Sequence, residues 1–120
     1  MAIADIDSAL LDKGCLPYPN ARKYRDYRVM LETERPEAIS VCTPPVTHAE
    51  ITLHALSHGV HVLCEKPLTV HLADAKKVFQ AVQEKDLVLM MASKFRFVDD
   101  IVKAKGIVDS GILGRVILFE

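Results

Sequence analysis

The strongest constraint on the fold of this chain is a regular alternation of short apolar runs with longer amphipathic segments. Runs rich in β-branched and other apolar residues predict strands, and segments with an apolar residue every three or four positions predict helices. The predicted strands cover residues 1–5, 38–42, 60–64, 87–92 and 115–120. Strands joined by single helices at this spacing form βαβ units, so the pattern predicts an α/β fold with a mostly parallel sheet.

Capping residues and glycines predict where the helices begin and end. Asp7 stands at the N-cap of the first helix, and Gly14 at its end. Thr47 and Glu50 match the S/T-x-x-E capping box of a helix that Gly59 ends. The predicted helices cover residues 7–14, 27–34, 47–59, 72–85 and 98–111.

The helix over residues 72–85 carries a predicted apolar face. Leu72, Ala75, Phe79 and Val82 recur at helical spacing, which favours a shared side turned toward the core. The segment over residues 15–24 is polar and contains proline, and it is predicted to be a link without regular structure.

Composition and charge exclude several classes of protein. Lysine and arginine number 15 against 16 aspartates and glutamates, without a basic block, so neither nucleic acid nor an anionic membrane is expected as a partner. No apolar run approaches the roughly 20 residues that span a bilayer, and the first ten residues lack the features of a signal peptide. The three cysteines are widely spaced, as is typical of reduced thiols. We therefore expect a soluble, cytoplasmic protein.

Polar residues follow several predicted strands directly. Asp5 follows the first, Thr43 the second and the Glu65–Lys66 pair the third. In an open parallel sheet, ligands bind beyond the carboxyl ends of the strands, so these residues are candidates for a binding site. A charged pair at a strand end can also mark the return of the chain to solvent, and the local pattern alone favours that reading.

One long stretch carries a family resemblance. Residues 38–70, "AISVCTPPVTHAEITLHALSHGVHVLCEKPLTV", combine T-P-x-x-x-H with H-V-L-C-E-K-P. They resemble the second half of the nucleotide-binding domain of the glucose-fructose oxidoreductase, inositol dehydrogenase and MocA family. The resemblance extends to "AIADID" and "SKFRF" and implies a Rossmann-type doubly wound sheet, NAD or NADP as cofactor, and a sugar or polyol as substrate.

The resemblance also implies an active-site group. Lys66 matches the family lysine that contacts the cofactor and the substrate hydroxyl and helps to move its proton, with Glu65 beside it. Pro67 is expected to follow a cis peptide bond. Arg96 matches an arginine near the cofactor, although a surface position on a link between domains accounts for it equally well.

Further cofactor contacts are implied by the same resemblance. Asp5 matches the acid that binds the adenosine ribose, which favours NAD over a 2′-phosphate, and its alternative role is that of a helix cap. Thr43 and Pro44 match the turn under the nicotinamide ribose, or they form an ordinary strand-to-helix turn. His48 matches a histidine near the cofactor, and a structural role is the alternative.

A metal site is not expected. His54 and His58 share one helix face at i, i+4, but no glutamate follows the first as in H-E-x-x-H. His61 and Cys64 point to opposite faces of a strand, because side chains alternate along it.

The five glycines form no G-x-G-x-x-G turn, which family members use to hold the pyrophosphate. We therefore expect a partial Rossmann domain over residues 1–112, without the first strand and its glycine-rich turn, and the first strand of a truncated substrate domain over residues 113–120. Two hypotheses follow. The chain is a fragment of an NAD(P)-dependent oxidoreductase, or it is a non-catalytic remnant that binds nucleotide weakly or acts through association.

This expectation extends to strand pairing. The absent strand would lie between residues 2–5 and 39–42, so residues 2–5 are predicted to be displaced, disordered or paired elsewhere. The exposed edge of the 39–42 strand favours self-association into a homo-oligomer.

Overall fold

The computed structural model of the chain describes residues 1–117. Helices and strands alternate along it, and every paired strand is parallel to its neighbour, as the sequence predicts. The strands are β1 (Ala2–Ala4), β2 (Arg22–Tyr24), β3 (Ala38–Val41), β4 (His61–Cys64) and β5 (Leu89–Met91). The helices are α1 (Ser8–Cys15), α2 (Tyr27–Glu34), α3 (Pro45–Ser57), α4 (Leu72–Lys85) and α5 (Asp99–Asp109), with a 3₁₀ turn over Lys94–Phe97.

The strands form two separate sheets. β1 pairs with β2 in a two-stranded sheet, and β3, β4 and β5 form a three-stranded sheet in that order. The prediction that residues 2–5 pair elsewhere than beside residues 39–42 is therefore confirmed. β2 corrects the prediction that residues 15–24 form a link without regular structure, because its residues, Arg-Lys-Tyr, give no apolar alternation from which a strand could be predicted.

The core lies on one face of the three-stranded sheet. α3 and α4 cover the side chains of Val41, Val62 and Cys64, and Leu31 of α2 joins the same cluster. On the opposite face, the side chains of Leu63 and Met90 remain exposed. The sequence pattern of β3 is typical of a strand covered on both faces, and that interpretation is wrong for this chain.

Two of the predicted helix boundaries are wrong. α1 has Asp7 as its N-cap, as predicted, with the carboxylate accepting from the Ala9 amide at 2.8 Å, but it passes through Gly14. α3 begins at Pro45, because proline is favoured at the first helical position, so Thr47 and Glu50 form no capping box. The α3 helix ends before Gly59, whose φ of +76° suits glycine.

The apolar face of α4 also differs from the prediction. α4 covers the predicted residues 72–85, but Leu72 and Phe79 are exposed, and Val78 is fully buried against the core. Val82 packs partly against the same cluster. The buried side is therefore set by the contact with α3 rather than by the largest apolar residues.

Polar contacts fasten the smaller sheet to its helices. Lys23 Nζ lies 2.6 Å from the Asp12 carboxylate of α1. Arg22 and Tyr24 both donate to Glu34 of α2, whose side chain is only 7% exposed. These contacts explain how a polar strand is held in place.

A second polar cluster joins α2 to α3. The Tyr27 hydroxyl donates to Glu50 at 3.1 Å, and Arg28 donates to the same carboxylate. Burial, together with the hydrogen bond to Glu50, raises the pKa of Tyr27 to about 12.

The C-terminal part of the described chain is the least covered. α5 has no buried residue, and it contacts the Lys94–Phe97 turn. The last predicted strand, residues 115–120, lies partly outside the described residues, and its described part, 115–117, is not in a strand.

We expect Leu56→Ala to lower the free energy of unfolding by about 2–5 kcal/mol, because Leu56 is 0% exposed and its loss leaves a cavity. Leu72→Ala is the matched control, since Leu72 is 74% exposed and its truncation should change stability by less than about 0.5 kcal/mol. Urea unfolding followed by circular dichroism measures both. Equal losses in the two variants would contradict the placement of the core.

The Tyr27 contact predicts a loss of stability at alkaline pH. A group whose pKa is higher in the folded chain stabilises the fold below its unfolded pKa, here 10.0, and this contribution disappears as the pH rises through about 12. Tyr27→Phe should therefore flatten part of the decline in unfolding free energy across that window. Parallel urea titrations at several alkaline pH values test this, and identical slopes for the two proteins would refute it.

Candidate functional site

The carboxyl ends of β3, β4 and β5 meet at one edge of the sheet. Val41 and Cys64 are paired in register. The Glu65 amide donates to the Val41 carbonyl at 2.9 Å, and the Ala92 amide donates to the Cys64 carbonyl at 2.8 Å. The segments that follow these strands therefore emerge side by side, as the sequence predicts for a parallel sheet.

The segment after β3 is a tight turn into α3. The Thr47 hydroxyl lies 2.8 Å from both the Pro44 carbonyl oxygen and the Thr43 hydroxyl. The Thr47 amide also donates to the Pro44 carbonyl at 2.9 Å. Thr43 and Pro44 are themselves exposed, so the outer surface of this turn is open to solvent.

The segment after β4 carries the charged pair. Glu65 and Lys66 are exposed, and the Glu65 carboxylate accepts from the Lys66 amide at 3.0 Å. The peptide bond between Lys66 and Pro67 is cis, which confirms the prediction for that bond. Within residues 1–117, the Lys66 ammonium takes part in no ion pair, so its three protons are available to a ligand.

His48 joins the two turns from below. Its side chain is 1% exposed, with Nε2 2.7 Å from the Thr43 carbonyl oxygen and Nδ1 2.8 Å from the Pro67 carbonyl oxygen. Both ring nitrogens are thus engaged with main-chain oxygens. His48 touches the backbone of the predicted cofactor turn rather than offering a nitrogen to solvent.

Asp5 lies at the end of β1, in the smaller sheet. Its amide donates to the Tyr24 carbonyl at 3.1 Å, and Oδ1 accepts from the Asp7 amide at 2.8 Å. Asp7, not Asp5, is the N-cap of α1. Among the residues that the structure describes, no hydrogen bond connects Asp5 with the Thr43 or Lys66 turns, so the structure does not bring it into direct contact with them.

Arg96 lies in the 3₁₀ turn that follows β5, and its side chain is exposed. Other residues after the strands, Glu65, Ser93 and Phe97, help to line a shallow depression of about 230 Å³ against the uncovered face of the sheet, together with Leu63 and Met90. Leu63, Met90 and Phe97 were not among the predicted site residues. The strand alternation that turns them away from the core is the signal that could have found them.

A larger depression of about 610 Å³ lies at the opposite edge of the sheet. Leu31, Arg35, His58 and Val60 help to line it. It contains none of the predicted site residues, and its position before the starts of β3 and β4 is not where parallel sheets bind ligands.

His54 and His58 lie with ring centroids 4.5 Å apart, and His58 Nδ1 is 2.9 Å from the His54 carbonyl oxygen. Across residues 1–117, no group of three or more metal-ligating side chains is assembled. None of the helices within the same residues has the length and apolar character needed to cross a membrane.

Parallel strands, crossover helices and polar turns at the carboxyl edge define a dinucleotide-binding domain of the Rossmann class. The sequence profile of the oxidoreductase family with an NAD-binding Rossmann fold, Gfo/Idh/MocA, matches residues 2–93. The chain belongs to this family, and the resemblance seen in the sequence is confirmed.

Individual relatives agree with this assignment. A levoglucosan dehydrogenase from Pseudarthrobacter phenanthrenivorans is 32% identical over 98% of the chain and 30% of its own length. The crystal structure of a myo-inositol 2-dehydrogenase from Lactobacillus plantarum superimposes with a TM-score of 0.90 at 28% identity, covering 98% of the chain and 35% of that protein. An oxidoreductase from Agrobacterium radiobacter, solved with NAD⁺, L-tartaric acid and magnesium, superimposes with a TM-score of 0.89 at 26% identity, covering 95% of the chain and 33% of that protein. The chain thus spans less than a third of the length of the first curated relatives that it matches, 28% to 30%.

The cysteines provide a test of the site geometry. Cys42, next to Thr43, is exposed, whereas Cys15 and Cys64 are buried. Burial also raises the pKa of the Cys64 thiol, which slows its reaction further because the thiolate is the nucleophile. We expect one fast-reacting thiol in the folded chain and all three in denaturant, measured with a chromogenic disulfide reagent. Cys42→Ser should abolish the fast phase, and its persistence in that variant would contradict the structure.

Proposed function

We propose that this chain supplies part of the NAD(P) site of an oxidoreductase that transfers hydride between the cofactor and a sugar, a polyol or a related secondary alcohol. The observation that supports it most directly is the pair of exposed turns, Thr43–Pro44 and Glu65–Pro67, placed side by side at the carboxyl edge. The relatives named for levoglucosan and myo-inositol favour this substrate class.

The cofactor would lie across this edge. Thr43 and Pro44 would support the nicotinamide ribose, with His48 holding their backbone from below. Asp5, half-buried at the end of β1, would accept hydrogen bonds from the adenosine ribose hydroxyls. A carboxylate there repels a 2′-phosphate, so NAD is favoured over NADP. Arg96, exposed in the turn that follows β5, would be a charged contact to the cofactor.

Lys66 is the proposed catalytic residue. When bound, the nicotinamide accepts or supplies the hydride. The Lys66 ammonium donates hydrogen bonds to the substrate oxygen, orients the reacting carbon and helps to move the hydroxyl proton at that oxygen. Glu65, whose carboxylate binds the Lys66 amide, fixes the backbone from which the ammonium extends.

The domain division is part of the same proposal. Residues 1–112 belong to the nucleotide-binding domain and residues 113–120 begin a substrate domain. The unpaired edges of β1 and β3 are where the strand order of this fold class accommodates a further strand with a glycine-rich turn. Such a turn supplies the backbone amides that hold the pyrophosphate, and the 120 residues contain no G-x-G-x-x-G motif. The chain by itself should therefore bind NAD weakly.

A second proposal is a role in association. α5 and the uncovered sheet face expose Leu63, Met90, Ile101 and other large apolar side chains, and four strand edges are unpaired within the described residues. Apolar surface of this kind favours contact with another chain. On this proposal the fold is a non-catalytic remnant that retains weak nucleotide binding.

Titration with NAD tests the primary proposal. We expect a dissociation constant weaker than the low micromolar range, no measurable dehydrogenase turnover by the 120 residues alone, and slower alkylation of Cys42 in the presence of millimolar NAD. Lys66→Ala and Asp5→Ala should each weaken that protection. The NAD concentration that gives half-maximal protection should rise about tenfold, which corresponds to a loss of about 1.4 kcal/mol in binding free energy.

Lys76→Ala is the matched control, because Lys76 is an exposed lysine within α4 and not in a turn that follows a strand. Failure of NAD to protect Cys42 at any concentration would refute cofactor binding at this edge. Tight binding that is lost in Lys66→Ala would show that the missing glycine turn is not required.

A further inference from the structure

The geometry points to His48 as a positioning residue that sets the place of Lys66 relative to the Thr43–Pro44 turn. The inference rests on the proposed function for its catalytic consequence, but the structural bridge itself does not depend on it. His48 contacts neither solvent nor the exposed surface of the site, so its effect on Lys66 is transmitted through the main chain.

The bridge consists of two short contacts from one ring, and both are hydrogen bonds when each ring nitrogen carries a proton. Nε2 lies 2.7 Å from the Thr43 carbonyl oxygen, and Nδ1 lies 2.8 Å from the Pro67 carbonyl oxygen. A carbonyl oxygen only accepts, so each contact requires an N–H on the ring. A neutral imidazole can donate to one of the two oxygens, and a ring with both nitrogens protonated can donate to both.

The two acceptor oxygens belong to the two turns of the proposed site, so the bridge affects how these turns are placed. Thr43 O belongs to the turn proposed to support the nicotinamide ribose, and Pro67 O lies one residue beyond Lys66. The Lys66 and Pro67 side chains are exposed, and the pairing of β4 with its neighbours ends at Cys64. The ring therefore fastens the Lys66 turn beyond the end of the sheet. A displacement of about 1 Å at a reacting group can cost on the order of 10²-fold in rate, so such a tie matters for catalysis.

The buried position of the His48 ring explains why its loss should affect both turns. Without His48, the two carbonyl oxygens would lose the donor that meets them on their buried side, and a poorly hydrated carbonyl without a partner is costly. The two turns would then move to find other partners. Thr52, on the same helix and equally buried, makes no hydrogen bond to either turn, so it provides a matched comparison.

Three substitutions separate the two bonds. His48→Phe keeps a ring and removes both donors. The His48→Gln amide nitrogen reaches about as far as Nε2 and can restore the bond to Thr43, whereas the His48→Asn amide nitrogen matches Nδ1 and can restore the bond to Pro67. Thr52→Val removes a buried hydroxyl from the same helix and serves as the control for a nonspecific change in α3.

The measurement is the backbone carbonyl ¹³C shift of Thr43 and Pro67, with amide hydrogen exchange at Glu65 and Ala92, which donate hydrogen bonds at the strand ends beside the Lys66 turn. His48→Phe should shift both carbonyl signals and accelerate exchange at these amides by about tenfold. His48→Asn should spare the Pro67 signal and the exchange rates, and His48→Gln should spare the Thr43 signal alone. Thr52→Val should leave all four unchanged.

The inference is overturned if His48→Phe alters neither carbonyl or only one of them, or if the Asn and Gln variants behave alike. Should His48→Phe fail to fold, the contrast between Asn and Gln decides the question by itself. The NAD protection of Cys42, measured on the same proteins, separates the two proposals. Selective carbonyl shifts without NAD protection in the unsubstituted chain would support the bridge and refute the proposed function. NAD protection without selective carbonyl shifts would support the proposed function and refute the bridge.

Discussion

The parallel pairing of β3 with β4 is the constraint on which the rest of the structure depends. Its register places Val41 beside Cys64, so both strands end at the same level of the sheet. The segments that follow them, Cys42–Thr43 and Glu65–Lys66, then emerge side by side although they are far apart in sequence. Because parallel strands require a crossover between them, α3 must pack on the sheet, and it carries His48 to a position beneath both turns.

The core of the chain follows from the same crossovers. α3 and α4 both lie on one face of the three-stranded sheet, and their buried residues meet Val62 and Cys64 there. The opposite face carries Leu63 and Met90 without a covering helix in the described part of the chain. A doubly wound sheet buries both faces, so the fold here is one half of that arrangement, and its uncovered half coincides with the depression beside Glu65.

Two kinds of interaction hold the parts together. Apolar burial dominates around Leu56, where removal of water supplies the driving force. The smaller sheet depends instead on polar contacts, chiefly Glu34 with Arg22 and Tyr24. Removing one partner of such a contact leaves a poorly solvated group unpaired. Because the apolar core of this sheet is small, we expect single substitutions to destabilise it.

The sequence by itself determined the α/β class, the bounds of α4, the cap at Asp7 and the strand ends that carry Thr43 and Lys66. These features depend on local backbone preferences and on apolar periodicity, which neighbouring residues set directly. Only the tertiary structure decided that Arg22–Tyr24 forms a strand, because its stability comes from Glu34 and from pairing with β1. It also decided that Val78 rather than Phe79 is buried, and that both nitrogens of His48 face carbonyl oxygens. Each of these outcomes depends on which distant segment lies opposite, and a local pattern does not contain that information.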